Sequence, residues 1–114
     1  MRVLFDQGTP VPIRRFLTHH TVRTAAEQQW TTLENGQLLD AAEANGFDVL
    51  LTTDKNIQYQ QNLSDRRIAI IVLGEPSWPR VRNHVSRVVK AVDAATPGSC
   101  TEVEIPSDDD DPRA

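Results

Sequence analysis

The apolar positions of this chain fall into two kinds of run, and the contrast between them predicts the architecture. Phe47 to Thr53, centred on Val49-Leu50-Leu51, and Ile68 to Leu73 are apolar on consecutive residues, without alternation. Runs of that kind suit strands covered on both faces, as in a parallel sheet. Residues 2–5 (Arg-Val-Leu-Phe) read as a first strand stopped by Asp6-Gln7-Gly8. Thr9 as N-cap and Pro10 as first helical residue predict a helix carrying Ile13, Phe16 and Leu17 on one face. His20 to Arg23 reads as a short second strand. Thr24-Ala25-Ala26-Glu27 has the form of a capping box and predicts a short helix reaching Trp30. Asn35 reads as the N-cap of a helix with Leu38, Leu39 and Ala42 on one face, stopped at Gly46.

Residues 57–63 read as a short helix or turn, between the two apolar strands. A helix is then predicted over 79–95, opened by Pro79 and ended by Pro97-Gly98. Val81, Val85, Val88, Val89 and Val92 form its buried stripe, and Arg80, Arg82, His84, Arg87 and Lys90 occupy its other faces. Thr101 to Ile105 alternates like an edge strand, and Pro106 closes the body. Strands alternating with helices imply an α/β fold: a three-layer sandwich with a mainly parallel central sheet and helices on both faces. The strands ending near Asp6, Asp54 and Leu73 are expected to be neighbours.

At 114 residues, the chain has room for one domain, placed at 1–106. Residues 107–114 read as a disordered acidic tail, with four aspartates, one arginine and almost nothing to bury. That tail supplies three of the four net negative charges, so the body is nearly neutral and global charge does not decide a nucleic-acid partner. Cys100 is the single cysteine, so no internal disulfide forms. The amino terminus lacks the pattern of a signal peptide, and no apolar stretch is long enough to span a bilayer. A soluble cytoplasmic protein is the expectation.

Ligands in open α/β sheets bind outside the carboxyl ends of the strands, where Asp6 and Asp54 both stand. Paired carboxylates there suit a hard cation, Mg²⁺ or Mn²⁺, which polarises a phosphate oxygen and lowers the pKa of a bound water. The plainer alternative is two aspartates that simply begin loops. Lys55 could contact a phosphate, and Arg14 and Arg15 with Arg80, Arg82, Arg87 and Lys90 could track a polynucleotide backbone, or serve only as polar faces. Trp30 and Trp78 could stack bases or fill the core. His19 and His20 have no ligands at zinc spacing, and Cys100 no basic neighbour.

Three segments carry a family resemblance: Leu4-Phe5-Asp6-Gln7-Gly8-Thr9-Pro10, Gly36 to Ala44, and Phe47-Asp48-Val49-Leu50-Leu51-Thr52-Thr53-Asp54-Lys55-Asn56. From Met1 to about Pro106 the chain resembles the short PIN-like domains of bacteria, related to PIN nucleases and toxin–antitoxin ribonucleases. The resemblance implies a three-layer α/β fold and, in active relatives, metal-dependent cleavage of RNA, with a cognate antitoxin as a partner. It places Asp6 and Asp54 as metal-holding acids and assigns Asn35 and Asn56 to positions where active relatives carry acids. An amide brings no charge and cannot act as a base, so weaker metal binding is expected. Glu34, Asp40 and Glu43 are nearby acids that would have to swing in as replacements. Two functions follow: a Mg²⁺-dependent endoribonuclease of toxin type, in which the two asparagines orient waters or substrate, or a non-catalytic module that binds RNA or a protein. A phosphoacceptor receiver domain also carries an Asp after its third strand, but here no paired acid adjoins Asp6 and Leu73-Gly74-Glu75-Pro76 lacks the hydroxyl residue.

Overall fold

The computed structural model describes residues 1–57, 63 and 65–106. Among them, β1 (Arg2–Phe5), β2 (Thr21–Thr24), β3 (Val49–Thr52), β4 (Ala69–Leu73) and β5 (Cys100–Val103) form one sheet. The strand order is β2-β1-β3-β4-β5, and every neighbouring pair is parallel. All carboxyl ends therefore lie at one edge of the sheet. β3 and β4 are buried at every residue, which is why their sequences do not alternate. The edge strands are more exposed, with β5 burying only Val103.

Side chains alternate across a strand, and the core divides accordingly. On one face Val3, Phe5, Val49, Leu51, Ile71 and Leu73 pack against a 3-10 segment (Val11–Phe16) and two helices, α2 (Trp78–Arg82) and α3 (Val85–Asp93). On the other, Leu4, Leu50, Ile70 and Val72 pack against Leu38, Leu39 and Ala42 of α1 (Asn35–Ala44). The result is the three-layer α/β sandwich that the apolar pattern predicts. Each fully buried leucine or isoleucine on these faces contributes roughly 1.5–3 kcal/mol relative to exposure.

Several local elements depart from the sequence expectation. Pro10 caps the segment after β1, which winds as a 3-10 helix closed by Ile13 N to Pro10 O and Leu17 N to Arg14 O, both at 3.2 Å. Thr9 caps nothing: its buried hydroxyl donates to Leu51 O at 2.9 Å, tying this loop to β3. Phe16 is 43% exposed instead of joining Ile13 and Leu17 in the core. β2 begins at Thr21, one residue later than expected. The box at Thr24 and Glu27 forms both of its reciprocal bonds, at 2.8 and 3.0 Å, yet turns follow rather than a helix. Gln29 takes φ 62°, which is incompatible with a continuing right-handed helix.

Glu34, not Asn35, is the N-cap of α1, paired with Gln37 in a capping box, so Asn35 opens the helix itself. Gly46 does take the left-handed φ of 77° expected past a helix end. The helix expected over 79–95 is two helices, interrupted at Asn83 and His84. Both are poor helix formers, and His84 adopts φ −129°, ψ 22°. Of the expected stripe, Val81, Val88 and Val92 are fully buried, whereas Val85, in the first turn of α3, and Val89 are half-buried. β5 ends at Val103 rather than Ile105. Of residues 57–63, the structure describes only Ile57 and Leu63, and the tail 107–114 also lies outside the described residues.

Candidate site at the β1 and β3 carboxyl ends

In a sheet of order 2-1-3-4-5 the connections leave β1 and β3 toward opposite faces, and the crevice between those two ends is the usual ligand position. Asp6 and Asp54 follow these two strands. Phe5 pairs with Leu51 in the parallel register, so Asp6 comes level with Thr52. Both positions have the parity of Leu4 and Leu50, and so face the α1 side. The contact is direct: the fully buried Thr52 hydroxyl donates to Asp6 Oδ2 at 2.9 Å. The same Oγ1 accepts the Asp54 N–H at 3.1 Å. One hydroxyl thus joins the two acidic segments.

Asn35, at the start of α1, completes the chain of contacts. Its Nδ2 donates to Asp54 Oδ2 at 2.7 Å, while Asp54 Oδ1 accepts the Asn56 N–H at 2.9 Å. Asp6 Oδ1 accepts the Gln7 N–H at 2.8 Å. Every carboxylate oxygen of the pair therefore has a donor among the described residues. Each oxygen can accept more than one contact, so the pair keeps capacity for a further electropositive partner. The loop after β1 approaches closely enough to require glycine: a Cβ on Gly8, at φ 86°, would lie 3.1 Å from Thr53 Oγ1.

The structure thus brings Asp6, Asp54 and Asn35 into one hydrogen-bonded group. Asn56 enters through its backbone N–H. Lys55 is exposed beside Asp54. The candidate replacement acids stay away: Asp40 and Glu43 both accept from Arg66 Nη1 at 2.7 Å, and Glu34 caps α1. Those contacts hold Arg66 protonated beyond its ordinary range, with the Glu43 hydrogen bond the largest cause. Among the described residues, no cluster of three or more acidic, histidine or cysteine side chains could hold a metal ion.

The predicted phosphate-contacting arginines are partly committed elsewhere. Arg14 donates to Glu27, and Arg80 Nη1 lies 3.3 Å from Glu75 Oε2. Glu27 titrates below the usual carboxylate range because it accepts the Thr24 N–H and then the Arg14 guanidinium. Trp30 packs edge-on against Phe47, 5.9 Å between centroids, on the α1 face. His20 bridges the Met1 amino group and Asp93, the latter at 2.6 Å, a structural tie between the residue preceding β2 and the end of α3. Cys100 is held above its usual thiol range, first by burial and then by Glu102, which disfavours the reactive thiolate.

Thr52 is the site residue that sequence reasoning missed. Its one signal is position: it lies two residues before Asp54, and hence on the same strand face. A hollow of about 140 Å³ adjoins Asp6, walled by Phe5, Gly8, Val11, Ala25 and Ala26. A larger one, about 330 Å³, lies among Glu43, Phe47, Asp48 and Arg67 at the opposite, amino-terminal end of the sheet, away from the acids. No helix of the described residues is long and apolar enough to cross a membrane. Comparison with family models, with curated proteins and with solved structures gave no match.

Proposed function

We propose that this chain is a PIN-like domain that binds Mg²⁺ or Mn²⁺ through Asp6 and Asp54 and cleaves RNA as an endoribonuclease of the toxin–antitoxin type. The observation that carries the reading is the Thr52 bridge, which ties the Asp6 carboxylate to the Asp54 backbone at the switch point of an all-parallel sheet. Two half-buried carboxylates with acceptor capacity left beside their N–H and O–H donors fit a hard cation that keeps several of its waters. When bound, such an ion supplies Lewis-acid polarisation of a phosphate and a more acidic water. The chain's own residues do the positioning: Thr52 fixes Asp6, Asn35 fixes Asp54, and Lys55 stands exposed where a phosphate would approach. Strand order alone does not identify chemistry. A phosphoacceptor role fits Asp54 poorly, because Gly74-Glu75-Pro76, directly after β4, carry no hydroxyl and no second acid adjoins Asp6.

A second reading, a non-catalytic module that binds RNA or a protein partner such as an antitoxin, is favoured by one specific feature. Asn35 presents an amide N–H₂ to Asp54 where a third acid would have added charge. Calorimetric titration with Mn²⁺ and Mg²⁺, beside cleavage of a labelled single-stranded RNA, separates the two. The nuclease reading expects weak cation binding and cleavage, both lost in Asp6→Asn. RNA binding without cleavage supports the module. Asn35→Asp adds a probe of the site itself, because it sets two carboxylates in contact at the present 2.7 Å spacing. Stability without metal should fall through repulsion, and Mn²⁺ should restore it and bind more tightly than to wild type. No cation heat in either protein refutes the metal site.

A further inference from the structure

The short elements Val11–Phe16 and α2 lie on the same face of the sheet, in the connections that leave β1 and β4, and present an aromatic pair to solvent. Phe16 and Trp78 have ring centroids 6.0 Å apart, tilted by 43°. Phe16 is 43% exposed and Val11 50%, while Trp78 is half-buried against the core. The two sequences, Val-Pro-Ile-Arg-Arg-Phe and Trp-Pro-Arg-Val-Arg, hold four arginines and no acid. Glu27 neutralises Arg14 and Glu75 neutralises Arg80. Arg15 and Arg82 are exposed, and neither forms an ion pair among the described residues.

We infer that this face is a stacking platform for a single-stranded polynucleotide, with a base against Phe16 and Trp78 and phosphates on Arg15 and Arg82. A purely apolar partner would not need the surplus positive charge, and a purely anionic one would not need exposed rings. Aromatic faces together with arginines on a shared surface suit a strand that carries both bases and phosphates. The inference rests on the RNA reading above and names a path for the strand across Phe16 and Trp78, which take no part in the Asp6–Asp54 hydrogen-bonded group. Of the six basic side chains grouped in the sequence, Arg14 and Arg80 are ion-paired and Arg87 and Lys90 stand on α3, which leaves Arg15 and Arg82 on the two elements that carry the rings.

The test uses the full chain in EDTA, so that cleavage plays no part, with a Trp30→Phe background that leaves Trp78 as the reporting indole. Octauridine is expected to quench Trp78 emission, and octathymidine tests whether RNA is preferred over DNA. Phe16→Ala should weaken octauridine binding about tenfold, within the range for loss of one stacked base. Arg15→Gln with Arg82→Gln should flatten the dependence of log Kd on log salt by about 1.4. Inorganic polyphosphate, which has charge but no bases, should be indifferent to Phe16→Ala. Unquenched Trp78, or octauridine binding unchanged by Phe16→Ala, overturns the platform. A sedimentation coefficient that drops on Phe16→Ala while octauridine binding holds would make the face a protein interface and also overturn it. Asp6→Asn keeps the two proposals apart, because it should abolish cleavage with metal and leave octauridine binding in EDTA unchanged. Cleavage with unaltered KM in Phe16→Ala sinks the platform while the acidic site stands.

Discussion

Thr52→Val removes one oxygen from the centre of the site and keeps the shape of a fully buried strand residue. Two hydrogen bonds go with it: the donation to Asp6 Oδ2 at 2.9 Å and the acceptance from Asp54 N–H at 3.1 Å. A hydrogen bond to a charged group contributes about 1.5–3 kcal/mol, and an orphaned amide costs about 1–3 kcal/mol when fully dry. Asp6 and Asp54 are only half-buried, so water recovers part of both terms. The expected loss is about 2 kcal/mol, or roughly 8–10 °C in melting temperature for a domain of this size. Thr52→Ser keeps the hydroxyl and should return most of that loss, apart from the missing methyl. Urea denaturation of the three proteins measures stability, and Mn²⁺ calorimetry follows the site. Thr52→Val should also weaken cation binding, since both acids lose their common tether, while Thr52→Ser should not. A Thr52→Val protein as stable as wild type, with the same cation affinity, would show that the bridge is an incidental contact.

Val88→Asp should prevent folding, because an unpaired carboxylate at a fully buried position consumes much of a total stability of about 5–15 kcal/mol. Val85→Asp, at a half-buried position, should retain a cooperative melt, and circular dichroism distinguishes the two outcomes. Glu27 titrates below its ordinary value in the folded chain, so its contribution is complete above the unfolded-state value near 4.5 and disappears as pH falls through the lower, folded value. Glu27→Gln should therefore be less stable than wild type at pH 7, with the difference shrinking below pH 4.5 in acid denaturation. Cys100, held above the usual thiol range, should react with a maleimide at pH 7 more slowly than a free cysteine does, and Glu102→Gln should speed it slightly.

The reach of the sequence follows the range of the interactions. β3 and β4 were legible because burial on both faces writes itself locally, as consecutive Val, Leu and Ile. The positions of Asp6 and Asp54 were legible for the same reason, since each ends such a strand. Interactions that join distant segments were not. Thr52 reads as an ordinary β-branched strand residue even with β1 and β3 expected side by side, because only their exact register sets its hydroxyl against Asp6, 46 residues away. Arg14 reads as a solvated cation until Glu27, 13 residues on, is placed against it.

A different failure appears at Thr24–Glu27. There a local motif forms its own bonds, yet no helix follows, because a cap supplies hydrogen bonds and not the buried stripe that keeps a helix in place. Ala25 alone is buried in that stretch, with Trp30 half-buried five residues on. The valine stripe shows the converse. Val81, Val88 and Val92 had enough burial to hold two helices against the sheet, while Val85 and Val89 are only half-buried. Caps and breakers thus set where an element can begin or bend, while apolar burial decides whether it persists. The same division applies at the site. Its two acids are placed by strand burial and by the expected adjacency of their strands, both of which the sequence displays, whereas their tether depends on a register that only the packed sheet reveals.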